Sequence, residues 1–308
     1  MLEILKNPDF DFLGKARYFV AASLLLIVVG VVAMTRPGGV RFGVEFSGGT
    51  QVIAKFQKTP DVDRIRAAIP DAVIQNYDAP ERNQVLIRRA IVEGQAVDHA
   101  APAVLGALSE KYSDNPVVES SAEVVGPVVG AELRKKAIQL TVLGLLFQLI
   151  YIAVRFKGAV WGAAATVAVL HDVLVTMAFL AFFRFEITLN VIAALLTLVG
   201  YSVNDTIVIF DRARENLRHK RKDSLRKIIN DSVNQTLSRT LISNGTTFLA
   251  VLGLMFGGEV LRGFAFTMAV GILVGTYSTI YIASPFVIWW TDLMSKRQGS
   301  GGTVKAAM

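Results

Sequence analysis

The 308-residue chain contains no cysteine. That excludes a disulfide framework, a thiolate metal site and a cysteine nucleophile. Its three histidines, His99, His171 and His219, are scattered, so a histidine metal centre is not expected. Gly48-Gly49 is not followed by Lys-Ser or Lys-Thr, which excludes a phosphate-binding loop. Charge is scarce as well: 19% of residues are Asp, Glu, Lys or Arg, against about 25% in soluble domains. What the chain has instead is apolar surface, 53% hydrophobic residues, far too much for disorder. The balance fits a polytopic membrane protein with a modest water-facing part and no cofactor.

A helix of about 20 apolar residues crosses a bilayer. Six such runs are expected, at 17–35, 137–154, 159–183, 187–210, 240–257 and 263–290. The first lacks a small-x-small cleavage site before Arg36-Pro37, so it is expected as an uncleaved helix. Basic residues set the orientation. Segments 1–17, 155–158, 211–238 and 291–308 carry three, two, eight and three, while the opposite short loops carry only Arg184 and Arg262. Both termini are therefore expected in the cytoplasm. The net charge of +7 is then a topology signal, and nucleic acid is not an expected partner.

Four regions follow: 1–35 with the first span, an extracytoplasmic domain at 36–131, spans 2–6 at 132–290, and a disordered cytoplasmic tail at 291–308. In 36–131, strands are expected at Thr50–Phe56, Ala72–Tyr77, Gln84–Ile91 and Val117–Val125, with helices at Asp61–Ile69 and Val97–Tyr112. The order βαββαβ suggests a ferredoxin-like sandwich. Segment 211–238 places Leu217, Leu225, Ile228, Ile229, Val233 and Leu237 near helical spacing amid Arg and Lys. It is expected as an amphipathic helix on the cytoplasmic membrane surface, either a connecting segment or a docking face.

A charge inside a span costs about 2.5–3.5 kcal/mol and marks a functional candidate. Asp172, Asp205 and Arg239 meet that description, with His171 beside Asp172. By helical rise Asp172 lies roughly 20 Å from the cytoplasmic edge, Asp205 only about 8 Å, and Arg239 opens span 5 near the depth of Asp205. A carboxylate balanced between burial and a guanidinium can exchange a proton near neutrality, which is what a relay needs. Ser202 and Asn204 on span 4, and Ser243 and Asn244 on span 5, supply a polar setting. Against this stand a snorkelling Arg239 and a static Asp205 that merely joins two helices. Gly200-Tyr201-Ser202 with His171 offers no oriented triad. Asp172 and Asp205, at mismatched depths, do not make a protease pair. No enzyme is expected.

Ordered motifs then carry a resemblance. Gly43-Val44-Glu45-Phe46-Ser47-Gly48-Gly49-Thr50, Val125-Gly126-Pro127-Val128-Val129-Gly130-Ala131-Glu132-Leu133 and His171-Asp172-Val173 come first. Gly200-Tyr201-Ser202-Val203-Asn204-Asp205-Thr206 running to Asp211-Arg212, and Thr236-Leu237-Ser238-Arg239-Thr240, follow. Together the set resembles the SecD/SecF export-protein family over about residues 40–290, with Glu45 where Asp is more usual. The resemblance implies half of a resistance-nodulation-division-type transporter in the cell inner membrane. It implies pairing with SecD, association with the SecYEG channel and YajC, and use of the proton gradient to draw preproteins outward. Asp205 and Arg239 are then the implied proton pathway, with Asp172 and His171 as further candidates. Gly48 and Gly49 read as a turn that orients the domain or as a preprotein contact. A small-molecule or lipid exporter and a scaffold that uses no protons are the competing functions.

Overall fold

The computed structural model of the protein describes residues 8–36, 38–77, 80–91, 97–155, 158–219 and 222–297. The expected tail from Gln298 and residues 1–7 lie outside the described residues.

The first helix, α1 (Phe12–Thr35), starts where the Asp11 side chain accepts from the Gly14 amide at 2.8 Å, satisfying a donor that a helix start leaves free. A short β1 (Arg41–Phe42) and α2 (Val44–Ser47) lead into the small domain. Its elements are β2 (Gly49–Phe56), α3 (Val62–Ala68), β3 (Ala72–Tyr77), β4 (Gln84–Arg89), α4 (Ala100–Lys111) and β5 (Val117–Val125). The four strands form one antiparallel sheet in the order β3-β4-β2-β5. Alternation puts Val52, Ala54 and Phe56 of β2 and Val85 and Ile87 of β4 on one face. Ile65 of α3 and Val104 and Leu108 of α4 close over that face in a common core. Every expected strand and helix of the domain is present, with ends shifted by at most three residues.

The remaining helices are α5 (Pro127–Arg155), α6 (Ala159–Phe182), α7 (Leu189–His219), α8 (Leu225–Leu254), α9 (Glu259–Ser278) and α10 (Ser284–Arg297). A single π turn, Thr279–Ala283, joins the last two, and β6 (Glu186–Ile187) precedes α7. Among the described residues, five helical runs are long and apolar enough to cross a membrane: α1, α5, α6, α7 and the continuous Leu261–Lys296. The expected fifth span, 240–257, falls mostly on α8, which ends at Leu254, and is not one of the five. Arg239, Ser243, Asn244, Thr246 and Thr247 lower its hydropathy, yet α8 packs against both α7 and α9.

Segment 211–238 departs from expectation. It is not one surface helix. The helix α7 continues without a break to His219, and α8 begins at Leu225 behind a Ser224 cap. The two arms pack together: Asn216 donates to Ser232 at 2.8 Å and Arg212 to Gln235 at 2.6 Å. Ile229, Val233 and Leu237 enter the bundle core with Ala213 and Phe210, so the apolar stripe meets protein rather than lipid. The Asn230 and Asn234 side chains in turn hold the Phe10 backbone at 2.9–3.0 Å, tying the start of α1 to α8.

Three contacts seat the small domain on the bundle. First, β1 pairs in parallel with β6. Second, Arg88 of β4 forms an ion pair with Glu186 and donates to Gln51 at 2.9 Å. Third, Gly48, at φ 71°, abuts the start of α5, while Gly49, at φ 145°, lies against the Arg89 carbonyl of β4. A Cβ on Gly48 would sit 2.9 Å from Pro127 Cα, and one on Gly130 would sit 2.8 Å from Gly48 N. The two glycine-containing motifs of the sequence are thus two sides of one joint.

Glu45 lies half-buried beside this joint. Burial pushes its carboxyl above the usual range; the Glu123 and Glu186 charges add to this, and a backbone hydrogen bond and Arg88 oppose it. From about pH 4.5 upward, to its raised value, the folded state binds more protons than the unfolded chain. Stability therefore falls as pH rises through that window. Glu45→Gln is expected to flatten this fall in a series of melting temperatures against pH; an unchanged slope would contradict the assignment.

Candidate functional site

Four helices converge on the intramembrane polar residues. Asp172 on α6 is 1% exposed. Its Oδ1 lies 2.9 Å from His171 Nδ1, and its Oδ2 accepts from Ser202 Oγ at 2.5 Å and Ser278 Oγ at 2.9 Å. Both carboxyl oxygens are therefore held, by α6 itself, α7 and α9. His171 continues the line outward: its ring lies 5.9 Å from that of Tyr277. Tyr277 is hydrogen-bonded to Ser23 of α1 and donates to the Phe19 carbonyl at 2.8 Å.

Asp205 on α7 is equally enclosed, at 4% exposure, but far less satisfied. Asn244 of α8 donates to its Oδ2 at 2.5 Å. Among the described residues that is its single hydrogen bond, and Oδ1 has none. Asn244 also reaches Thr276 of α9 at 2.5 Å and accepts from the Tyr201 hydroxyl at 3.0 Å. Thr206, one residue beyond Asp205, meets Thr279 at the π turn at 3.0 Å. Single π turns inside helices recur at functional sites.

The depth estimates for the two carboxylates need correction. Ser202, which bonds Asp172, precedes Asp205 by three residues on the same helix, so the two levels differ by about 4.5 Å. The larger mismatch came from ending span 4 at residue 210, whereas α7 runs on to His219. The close approach of α9 to α7 rests on Gly271 and Gly275. A Cβ on Gly271 would strike Leu198, and one on Gly275 would sit 3.2 Å from Ser202 Cβ. Small residues four apart let helix backbones meet closely in a membrane.

Arg239 and Asn204 flank this cluster without a hydrogen bond to it, the Arg239 charge acting on Asp205 through space. Both are exposed, on the outer face of α8 and α7, with Gly200 and Thr197 exposed along the same stripe of α7. No hydrogen bond or ion pair joins Arg239 to Asp205. The structure thus gathers Asp172, His171 and Ser202 into one hydrogen-bonded group and Asp205 and Asn244 into a second, about one helical turn away along α7. Ser243 borders the second, its carbonyl 3.2 Å from the Tyr201 hydroxyl, while Glu45, Gly48 and Gly49 stay at the domain joint. Sequence reasoning missed Thr276, Tyr277, Ser278 and Thr279. Their run of hydroxyls in an otherwise apolar stretch was the available signal. No group of three or more potential metal ligands occurs among the described residues.

Residues 105–293 match the family described as protein export membrane protein SecD/SecF, C-terminal. The protein translocase subunit SecF of Calditerrivibrio nitroreducens is 42% identical over 295 residues, covering 93% of this chain and 96% of the relative. That of Gemmatimonas aurantiaca is 40% identical over 299 residues, covering 94% and 89%. The crystal structure of SecDF, a translocon-associated membrane protein from Thermus thermophilus, superposes with a TM-score of 0.80 at 36% identity over 93% of this chain. This chain spans 39% of the length of that SecDF chain. A matched family over more than half the chain, and relatives alike along nearly all of it, lead to one assignment: the chain belongs to the SecD/SecF family of protein export membrane proteins.

Proposed function

We propose that this chain is an auxiliary subunit of the Sec preprotein translocase. It acts with SecD in the cell inner membrane and uses the proton motive force to promote the late stage of export. The observation that carries the reading is the contrast between the two buried carboxylates. Asp172 has three partners and serves as a fixed anchor between α6, α7 and α9. Asp205 has one partner and a free oxygen, so it can take up and release a proton without dismantling the bundle.

Arg239 supports the same reading. A bare guanidinium within a span costs about 2.5–3.5 kcal/mol, so its exposed face needs a polar partner. Asn204 and the small residues of α7 lie on the same side, suited to a close-packed helix from a second membrane subunit. SecD, fused to the corresponding half in the Thermus relative, is that partner. SecYEG and YajC are the further partners implied by the family. Protonation of Asp205 would remove its attraction to Arg239 and shift α7 against α8. The joint at Gly48 and Gly130 would carry that movement to the outer domain. The work is mechanical, with no covalent chemistry and no cofactor beyond the coupling proton.

The second half of α8 completes six spans in this scheme, both termini face the cytoplasm, and 36–131 faces the periplasm as a ferredoxin-like domain. The strand order β3-β4-β2-β5 supports that domain assignment. Co-purification tests the partner face. Wild type is expected to retain SecD, and Asn204→Trp to lower the retained amount on the order of tenfold, the effect of about 1.4 kcal/mol at the interface. Undiminished SecD with the tryptophan in place would remove the partner from this face.

A further inference from the structure

A groove of about 760 Å³ runs between α1, α6 and the stretch from the π turn into α10. Ala21, Leu24 and Ile27 of α1, Leu174 of α6, and Phe286 and Trp289 of α10 are among its walls. Its surface is almost wholly apolar, and it opens to the outside of the bundle. One end carries Arg17. This guanidinium is exposed and makes no ion pair among the described residues; it donates to the Tyr18 hydroxyl at 2.8 Å and lies 4.7 Å from the centre of that ring. From Arg17 to Ile27 the α1 axis rises about 15 Å, half of the roughly 30 Å hydrocarbon core. The groove is therefore one leaflet deep, with a cation at its mouth and an aromatic ring, Trp289, near the level where such rings favour headgroups.

We propose that this groove binds an anionic phospholipid of the leaflet that Arg17 reaches, its acyl chain along α1 and its phosphate on Arg17. On the orientation proposed above that is the cytoplasmic leaflet. An exposed cation at the mouth of an apolar groove one leaflet deep matches an acidic headgroup carried on an acyl chain, and that match selects the occupant. Position gives the lipid a consequence. His171 lines the inner wall, with Nε2 buried and unpartnered, directly beside Asp172. An acyl chain in the groove keeps water from reaching the Asp172 network from the lipid side.

Native mass spectrometry of the full-length chain in detergent tests the site, with dioleoyl phosphatidylglycerol and dioleoyl phosphatidylcholine as probes. The wild type is expected to bind the first phosphatidylglycerol about fivefold more tightly than phosphatidylcholine, a preference worth roughly 1 kcal/mol. Arg17→Gln, a change at an exposed position, is expected to bring the two lipids within about twofold. Ala21→Trp, which fills the groove, is expected to weaken both. Equal affinities in the wild type, a preference that Arg17→Gln keeps, or lipid binding that Ala21→Trp leaves undiminished overturns the proposal. So does a second polypeptide bound in stoichiometric amount that Ala21→Trp releases.

Discussion

Asp205→Asn is expected to lose the gradient-stimulated part of preprotein release and to keep the gradient-independent part. The substitution is nearly isosteric. The new side chain's oxygen still accepts from Asn244, at 2.5 Å in the wild type, so the seam between α7 and α8 survives. What disappears is the ability to take up a proton. Each proton crossing 100 mV carries about 2.3 kcal/mol, a factor of roughly fifty in a rate or equilibrium, so the lost part is large. Asp172→Asn has a different signature. Both oxygens of Asp172 accept from hydroxyls or face His171, and an amide leaves one of these contacts mispaired in a buried place. It lowers the amount of folded protein, where Asp205→Asn lowers only its response to the gradient. Release assayed in proteoliposomes with SecD and the channel, at matched assembly, separates the two. If Asp205→Asn releases preprotein as wild type does, Asp205 is structural and the scaffold reading takes over.

The second large effect is at the domain joint. Gly48 lies at φ 71° and ψ 152°, a region that other residues reach at a cost of about 1–3 kcal/mol. An added Cβ also presses on Pro127 Cα at 2.9 Å, backbone that cannot step aside, and such overpacking costs about 1–3 kcal/mol more. Gly48→Ala is therefore expected to destabilise by roughly 2–6 kcal/mol, read as a lowered unfolding temperature in detergent. Gly106→Ala serves as the control. That glycine sits in α4 with open space where its Cβ would lie, so alanine there stabilises by about 0.5–1 kcal/mol. Equal melting of the two variants would mean that the joint is looser than this geometry describes.

Much of this architecture is legible in the residues alone, for identifiable reasons. The strands of the small domain announce themselves as short apolar runs set between helical patterns, as at 52–54 and 85–87. The apolar spans announce themselves by length. Asp172 and Asp205 stand out because carboxylates are costly where they lie. Other features depend on what packs beside a segment. The stripe from Leu225 to Leu237 has the same periodicity whether it meets lipid or α7, and in the structure it meets α7. The expected span at 240–257 is not among the five apolar runs, because Asn244 and the hydroxyls beside it lower the hydropathy of α8. The shared level of Asp172 and Asp205 is invisible without knowing that α7 continues past the membrane edge. Ser278 and Thr276 looked like ordinary hydroxyls of an apolar helix until the folded bundle set them against Asp172 and Asn244.

The central claim is that proton uptake at Asp205 couples the gradient to late export. The most direct measurement follows preprotein release in proteoliposomes after ATP has been exhausted, with the gradient collapsed midway by a protonophore. The account predicts that release by the wild-type complex slows at that moment to the rate of the Asp205→Asn complex, whose own rate does not change. A wild-type rate that continues unaltered through the collapse would contradict it.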